Sequence, residues 1–491
     1  MLIAAIALLP GCKTKNLTPD VPAVPSGPAA GWRDSVLTYQ SSAADPDGDS
    51  VAIRFDWGDG DTSEWSAWVA NGAAVADSHA WSAVDGYAVR AQAKDKAGLE
   101  SEWSGPTAFA VVRWAVTFGG TNIEYGNAVC LSPDGGYVIT GVTESYGAGS
   151  WDAYLIKTDS SGDTLWARTF GGIHTDQGCS VQPTADGGYV ITGIADSSVS
   201  QDIWLIKTDA EGNQVWARTF GGPDADHGYS VQPTSDGGYI IVGETWSFAN
   251  KYDACLIKTD ASGTEEWTET FGGAGFDEFY SVRQTADGGY VVAVGTEPES
   301  AGLSDVWLIK VDESGDEEWV KTFGGSGNDY ANSVEQTSGG GFIVVGSTNS
   351  YGAGYFDAYL TKTDADGNQV WAKTFGGTGG EGGASVRQTS DGGYVIAGST
   401  ESFGNGQGDA WLVRTDASGN ELWSTALGGP DWDCGSSVVV APNGGYVMCG
   451  TTESYDVGAK DVWLVWIDAN GSAVTSGSAG YQGLRRTASG R

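Results

Sequence analysis

Basic residues and histidine are scarce in this chain. Its 491 residues include 25 Lys and Arg against 63 Asp and Glu, for a formal net charge of −38, and only three His. Nucleic-acid binding requires Lys and Arg to neutralise phosphates, so this composition argues against nucleic acid as a partner. His79, His174 and His227 have neither the arrangement of a Ser-His-Asp triad nor the spacing of metal ligands. Phosphate loops and Rossmann fingerprints are missing too, so no enzyme signature is present.

Cysteine motifs and long apolar runs are also absent. The six cysteines form no CxxC and no Cys/His cluster, which leaves no zinc site or dithiol motif, and the five internal ones are predicted to be small buried hydrophobes. The apolar run at the start has about nine residues, too few to span a bilayer. Residues 9–12 (LPGC) resemble a bacterial lipobox. The resemblance implies a signal peptide at residues 1–11, lipidation of Cys12, and export to the cell envelope with a lipid anchor in the membrane, facing outward.

Glycine and aromatic residues are abundant. The chain has 76 Gly, 21 Trp, 20 Tyr and 14 Phe. Disordered low-complexity chains lack aromatics, so this combination predicts an all-β protein of short strands joined by glycine turns. The acidic excess fits either a solvated surface in an extracellular or salty setting or cation binding, and composition does not separate the two.

Residues 28–113, which follow a polar tether at residues 12–27, alternate in short runs typical of a β-sandwich. They contain DPDGD at residues 45–49, FDWGDG at 55–60, SHAW at 78–81 and YAVRAQAKDKAG at 87–98. These motifs resemble the polycystic-kidney-disease (PKD) type of immunoglobulin-like module. The resemblance implies an extracellular spacer or adhesive domain.

The remaining chain is an internal repeat. The string FGG begins at Phe118 and recurs with a period of 50 to 52 residues, the last copy being LGG at Leu427. Each period holds four strand patterns: an S-V-like strand, a GYVITG-like strand after a DGG turn, a D-x-W-L-I-K-T-D strand, and a W-x-x-T-F strand. A four-stranded period near 50 residues predicts a propeller blade, and seven periods predict a seven-bladed β-propeller at residues 114–470, before a flexible tail at 471–491.

Strand order and ring closure follow from loop lengths. Tight DGG and D-x-x-G turns predict hairpins, so the S-V strand is innermost and the W-x-x-T-F strand outermost. Seven inner triplets are followed by only six outer strands, and the seventh, residues 114–118, precedes the first triplet. We therefore expect it to pair with residues 461–467 and close the ring.

The repeat resembles the GGYIIAG/FGG-type repeats of bacterial exported propeller proteins, some of which carry names such as endoglucanase by association. The resemblance implies the fold, and propellers host both binding proteins and enzymes.

Two rings of acids are predicted on one loop face of the propeller. The first ring stands six residues after each FGG phenylalanine or its leucine counterpart, and the second starts the third strand of every blade. An acid present in every blade most simply accepts backbone hydrogen bonds in a turn. The functional alternative is cation binding by the first ring, with Ca²⁺ as the cofactor. The members of the first ring are Glu124, Asp176, Asp226, Asp277, Asp329, Glu381 and Asp433.

Aromatic residues fall into two sets. Tryptophans repeated on the outer and third strands are predicted to pack between blades. Irregular aromatics in loops of the acidic face are the candidates for ligand binding, because exposed rings among carboxylates can stack on sugars. The candidates are Tyr146, Trp151, Trp246, Phe248, Tyr351, Tyr355, Phe403, Trp432 and Tyr455.

Three functions stay open at this stage. The leading hypothesis is a surface-anchored, non-enzymatic binding or adhesion module that uses the loop face to bind a glycan or protein. The second is a polysaccharide-acting enzyme, a glycosidase or lyase with acids of the same face as catalysts, although no acid convincingly breaks the repeat symmetry. The third is a structural surface-layer component.

Overall fold

The computed structural model describes residues 16–27, 30–32, 36–81, 86–112, 115–160, 162–247, 253–272, 277–296, 304–404, 406–442, 444–455 and 458–471. The predicted signal peptide, Cys12 and the tail beyond residue 471 lie outside these ranges. The chain forms two compact units that divide between residues 113 and 114. Within the described residues there is no helix long and apolar enough to cross a bilayer.

The first unit is a small β-sandwich. Its strands are β1 (Ala30–Trp32), β2 (Val36–Ser42), β3 (Val51–Asp56), β4 (Ala74–Ala80), β5 (Gly86–Asp95) and β6 (Thr107–Val112). One sheet has the order β1-β6-β5-β3, and β2 pairs with β4 in the other. Tyr39, Phe55, Trp57 and Trp81 are almost fully buried between the sheets. The β-sandwich predicted from the alternating pattern is confirmed, and it has the immunoglobulin-like class that the motif resemblance implies.

The second unit begins with β7 (Ala115–Phe118) and continues with seven triplets of strands, the first six each followed by an outer strand. The first four blades contain β8 (Glu124–Leu131), β9 (Tyr137–Thr143), β10 (Asp152–Thr158), β11 (Thr164–Phe170); β12 (Gln177–Pro183), β13 (Tyr189–Asp196), β14 (Gln201–Thr208), β15 (Gln214–Phe220); β16 (Asp226–Pro233), β17 (Tyr239–Thr245), β18 (Asp253–Thr259), β19 (Glu265–Phe271); and β20 (Asp277–Gln284), β21 (Tyr290–Thr296), β22 (Asp305–Val311), β23 (Glu317–Phe323). The last three contain β24 (Asp329–Gln336), β25 (Phe342–Thr348), β26 (Asp357–Thr363), β27 (Gln369–Phe375); β28 (Glu381–Gln388), β29 (Tyr394–Thr400), β30 (Asp409–Thr415), β31 (Glu421–Leu427); and β32 (Asp433–Val440), β33 (Tyr446–Thr452), β34 (Asp461–Ile467).

The seven sheets form a closed ring. Each is an antiparallel meander whose first strand is innermost, and each inner strand contacts the inner strand of the next blade, with β32 contacting β8. The strand β7 completes the last sheet by pairing antiparallel with β34, Phe118 opposite Val462 and Val116 opposite Leu464. The predicted seven-bladed propeller, its strand order and its closure are confirmed. We call the space encircled by the inner strands the central channel.

Tryptophans pack between blades as predicted. In the described pairs, the Trp of an outer strand lies near the aromatic residue that starts the second strand of the following blade, with ring centroids about 6 Å apart. Examples are Trp166 with Tyr189 at 6.1 Å and Trp319 with Phe342 at 5.8 Å. Large aromatic rings bury much apolar area, so these contacts hold adjacent blades together.

At the end of the ring opposite the FGG loops, tight turns carry ion pairs. Gly212 of the D-x-x-G turn has φ +78°, as the predicted left-handed hairpin position requires. In blades that have both residues, the Asp of the DGG turn forms an ion pair with a buried Lys or Arg of the third strand. Lys207 Nζ lies 2.9 Å from Asp186 Oδ2, and Arg414 contacts Asp391 at 2.6 Å.

Candidate functional site

The FGG loops, which lead into the inner strands, and the loops between second and third strands emerge at one end of the ring, here called the loop face. Parallel bridges join the two kinds of loop across neighbouring blades, as between Trp151 and Thr175 and between Gly408 and Trp432. This arrangement follows from the meander, in which alternate connections lie at the same end. The predicted acidic rings and most loop aromatics therefore share one face of the propeller.

Two positions on the loop face vary between blades and surround the opening of the central channel, here called the channel mouth. One position directly follows the first-ring acid, and the other directly precedes the third-strand Asp. The first set is Tyr125, Gln177, His227, Tyr330, Gly382 and Cys434, and its seventh member in the sequence, Glu278, lies outside the described side chains. The second set is Trp151, Gln201, Ser304, Phe356, Gly408 and Lys460, and its seventh member in the sequence, Tyr252, lies outside the described residues. Repeat symmetry is broken here, so these positions can form a site that differs from blade to blade.

Three aromatic rings and one lysine form a continuous row at the mouth, here called the mouth strip: Trp432, Lys460, Tyr125 and Trp151. Lys460 Nζ lies 4.9 Å from the centre of the Trp432 ring and 5.3 Å from that of Tyr125. Tyr125 in turn lies 5.5 Å from Trp151. Lys460 also pairs with Glu453 at 2.7 Å. Partial burial opposes its charge, yet Glu453 and Tyr125 raise the pKa of Lys460, so it is a fixed cation between two rings.

A second group of aromatic residues lies elsewhere at the mouth. The ring of Phe356 is 6.0 Å from Tyr330 and 5.3 Å from Tyr355. Tyr355 is 76% exposed, more than any other of the predicted ligand-binding aromatics described. These contacts leave flat apolar surface open to solvent beside the channel.

A hydrogen-bonded cluster interrupts the repeat, formed by His227, Glu244 and Tyr229 of the third blade with Gln201 of the second. His227 Nδ1 lies 2.6 Å from Glu244 Oε1, and its Nε2 lies 2.7 Å from Gln201 Oε1. The Tyr229 hydroxyl donates to the same Glu244 oxygen at 2.7 Å. Burial, then the charge of Glu244, raise the pKa of Tyr229. Glu244 is an acid that breaks the symmetry, contrary to what the sequence interpretation expects, since the other blades have Val142, Ile194, Gly295, Ser347, Ser399 and Thr451 there.

The first-ring acids are buried turn residues wherever their side chains are described. Asp226 accepts hydrogen bonds from Gly222 N at 2.9 Å, from Ser247 Oγ at 2.6 Å and from the Thr245 hydroxyl. The other described first-ring acids accept hydrogen bonds in the same way, one from a backbone amide of the FGG loop and at least one from a group at or just after the end of the second strand. These acids are Glu124, Asp176, Asp329, Glu381 and Asp433. Asp277 is outside the described side chains. Ca²⁺ binding by this ring stays a prediction, and the contacts themselves are those of the turn-acid alternative.

The second-ring aspartates face the first ring across the FGG loop. A Cβ placed on Gly221, whose φ is +153°, would lie 2.5 Å from Asp226 Oδ2 and 2.8 Å from Asp202 Oδ1. The pKa of Asp202 is raised, mainly by burial and further by the negative charge of Asp226. The first glycine of FGG is therefore required by the close approach of two carboxylates.

Five predicted ligand-binding aromatics share one repeated sequence position, three residues after the threonine that ends the second strand, and the structure describes four of them. The tyrosine hydroxyls among them donate to the carbonyl of the first FGG glycine, and all four rings pack on a third-strand aromatic residue. They are Tyr146, Tyr351, Phe403 and Tyr455. These contacts hold the loop together. Ligand binding by these four stays a prediction. Trp246 is 40% exposed on the loop face, and Phe248 lies outside the described residues.

In the described chain, one group of side chains in the sandwich is arranged closely enough to share a metal ion: Asp59, Asp61 and His79, with ligand atoms within 4.8 Å of one another. His79 Nε2 lies 2.6 Å from Asp59 Oδ2, and its ring stacks on Trp57 at 5.0 Å. Although burial acts to raise it, the hydrogen bond with His79 lowers the pKa of Asp59. This pairing fastens the WGDG turn to β4. In the DPDGD loop, Asp45 Oδ1 likewise accepts from Asp47 N at 2.9 Å, which makes the motif a turn.

No protein-family model and no curated protein matches this chain. Among solved structures, the PKD domain of an M14-like peptidase from a Thermoplasmatales archaeon is 36% identical and covers 20% of this chain and 98% of its own, with a TM-score of 0.19.

Two longer structures match most of the chain. The extracellular domain of the putative hybrid two component system BT3049 from B. thetaiotaomicron is 10% identical, covers 89% of this chain and has a TM-score of 0.41. A puromycin hydrolase mutant complexed with PGG is 12% identical, covers 78% of this chain and has a TM-score of 0.36. This chain spans 50% of the first and 58% of the second.

Proposed function

We propose that the protein is a non-enzymatic glycan-binding module that docks its ligand at the channel mouth. The single observation that carries this proposal is the mouth strip, in which Trp432, Lys460, Tyr125 and Trp151 are adjacent at positions where the blades differ. Residues that serve the blade repeat in every blade, whereas these four do not.

The chemistry of the strip suits a carbohydrate. Sugar rings present C–H faces that stack on aromatic rings, and their hydroxyl groups need donors and acceptors around the rim. Trp151 and Trp432 supply the apolar faces, while Lys460 and Glu453 supply a donor and an acceptor 2.7 Å apart. A fixed lysine between two rings also favours a glycan that carries a carboxylate or sulfate.

The experiment is a glycan array probed with the protein, followed by an activity screen on the glycans that bind. Binding without turnover is the expected result. A protein ligand bound in place of any glycan would contradict the glycan assignment, and silence on the array would favour the structural surface-layer alternative.

A polysaccharide-acting enzyme is the second candidate, because His227, Glu244 and Tyr229 form a hydrogen-bonded cluster in one blade alone. An imidazole held by a carboxylate, beside a tyrosine hydroxyl, can serve as the general acid–base pair of a lyase or glycosidase. Turnover of an array hit that is lost in Glu244→Gln, with binding retained, would establish this function instead.

We further propose that the protein is exported and lipid-anchored through Cys12, which supports display of the channel mouth outside the cell. The LPGC sequence at residues 9–12 supports this proposal. Metabolic labelling with a fatty-acid analogue should mark the wild type and not Cys12→Ala, and equal labelling of both would contradict the anchor.

A further inference from the structure

Three charged side chains stand at one level of the central channel. Arg283, Glu335 and Arg387 occupy the same register on the inner strands of three consecutive blades, opposite Val291, Ile343 and Val395 of their second strands. The other blades have uncharged residues at this level: Cys130, Gln182, Gln232 and Val439. The level therefore carries two cations and one anion, a local net charge of +1 in a chain whose net charge is −38.

The two guanidinium groups are not neutralised by direct ion pairs. Nη1 of Arg283 and of Arg387 each donates at 2.8 Å to the carbonyl of the preceding residue on its own strand. Glu335 Oε2 accepts from Gln388 N at 2.9 Å. Among the described residues, the arginines that form ion pairs with carboxylates are Arg54 and Arg414.

Arg283 and Arg387 are both partly buried, and the partial loss of solvation makes this arrangement costly without a counterion. Burial, and then the neighbouring Arg387 guanidinium, lower the pKa of Arg283, while Glu335 opposes that effect. Burial likewise lowers the pKa of Arg387. Each guanidinium keeps donors beyond the one that its own strand occupies, since the group has five N–H bonds in a planar fork.

We infer that Arg283 and Arg387 form an anion site in the central channel that takes a small oxyanion with a carboxylate, phosphate or sulfate group. Planar guanidinium forks match such groups with paired hydrogen bonds. Glu335 between them limits the excess charge to one, which favours a small anion over a polyanion.

This site is separate from the channel mouth. It lies five residues further along the inner strand than the mouth position, about 16 Å at the rise of a β-strand. A failure of glycan binding at the mouth therefore leaves the anion site untouched, and the reverse is equally true.

The experiment is calorimetric titration of the full chain with inorganic phosphate, sulfate and acetate, each against sodium chloride of equal ionic strength. Saturable binding of at least one oxyanion is expected, and the three arms identify the preferred group. Arg283→Gln and Arg387→Gln should each weaken binding about tenfold or more, the usual effect of losing a charge-assisted hydrogen bond. No saturable binding to the wild type would overturn the inference.

Arg218→Gln is the matched control. Arg218 Nη1 donates to its own strand at 2.9 Å in the same way, but on the outer strand β15 over the ring of Trp216. The control loses the same charge and should bind as the wild type does. Equal weakening in the control would mean that net charge alone governs binding.

Glu335→Gln tests the inference in the opposite direction, because it raises the local charge from +1 to +2. Oxyanion affinity should rise about threefold or more, and phosphate should raise the melting temperature of this variant more than that of the wild type. Weaker binding in Glu335→Gln would overturn the inference. A purely structural Arg–Glu–Arg ring predicts loss of stability in this variant with no rescue by phosphate.

Discussion

Replacement of Phe118 by alanine tests the closure of the ring. Phe118 is the last residue of β7, is 4% exposed, and packs in a cluster with Tyr154, Val462 and Leu464. A buried Phe→Ala change typically costs about 3–5 kcal/mol, from lost transfer free energy and the cavity left behind. Because β7 is a four-residue strand that joins the sheet without a hairpin, we expect a cost in the upper half of that range.

The assay is denaturant unfolding of the full chain followed by tryptophan fluorescence, with hydrogen exchange on β34. Thr117→Ala is the control on the same strand, since Thr117 is half-buried and should change the free energy of unfolding by less than about 0.5 kcal/mol. In Phe118→Ala, the amides of β34 should exchange faster than those of β30, its counterpart in the preceding blade. A cost below about 1 kcal/mol, or unchanged exchange in β34, would refute the claim that β7 fastens the ring.

Two further predictions concern stability and pH. Gly221→Ala should cost about 2 kcal/mol or more, because its Cβ would approach two carboxylates, whereas Gly172→Ala, with open space around it, should cost less; equal costs by denaturant titration would contradict this. Hydrogen bonds from Thr184 and Lys207 outweigh burial and lower the pKa of Asp186 to about 2. Because this pKa is depressed in the folded state, the ionised Asp186 stabilises the fold above about pH 4, and that stabilisation is lost as the pH falls towards 2. Asp186→Asn should therefore lower the melting temperature at pH 7 and have little effect at pH 2. At pH 7 the cost should be about 1 kcal/mol, because Asp186 is 66% exposed and solvent screens the pair.

The fold was predictable because the repeat places one signal in every blade. Six FGG strings, one LGG string and seven third-strand aspartates define the period, and the surplus strand before the first triplet requires closure by β7. The loop aromatics were harder to classify. Tyr146, Tyr351 and Tyr455 each stand three residues after the threonine that ends the second strand of their own blade. Comparing the blades position by position therefore shows that this aromatic position is repeated.

The candidate sites depend on contacts between distant segments. His227, Glu244 and Gln201 belong to two blades, and Arg283 and Arg387 are two blades apart, so no local motif connects them. The available signal was loss of symmetry: each of these residues differs from its counterparts in the other blades. Predicting which of these differences meet in space requires the register of the inner strands and the direction in which their side chains lie, which the sequence pattern alone does not supply.

The most direct test of the glycan-binding proposal is the affinity of an array-selected glycan for three single variants. Trp151→Ala and Trp432→Ala each remove one ring of the mouth strip, and Trp68→Ala removes a 46% exposed tryptophan of the sandwich as the matched control. Circular dichroism should show that all three are folded. We predict at least about tenfold weaker binding for both strip variants, about 1.4 kcal/mol each, and unchanged binding for the control. Wild-type affinity in both strip variants would contradict the account.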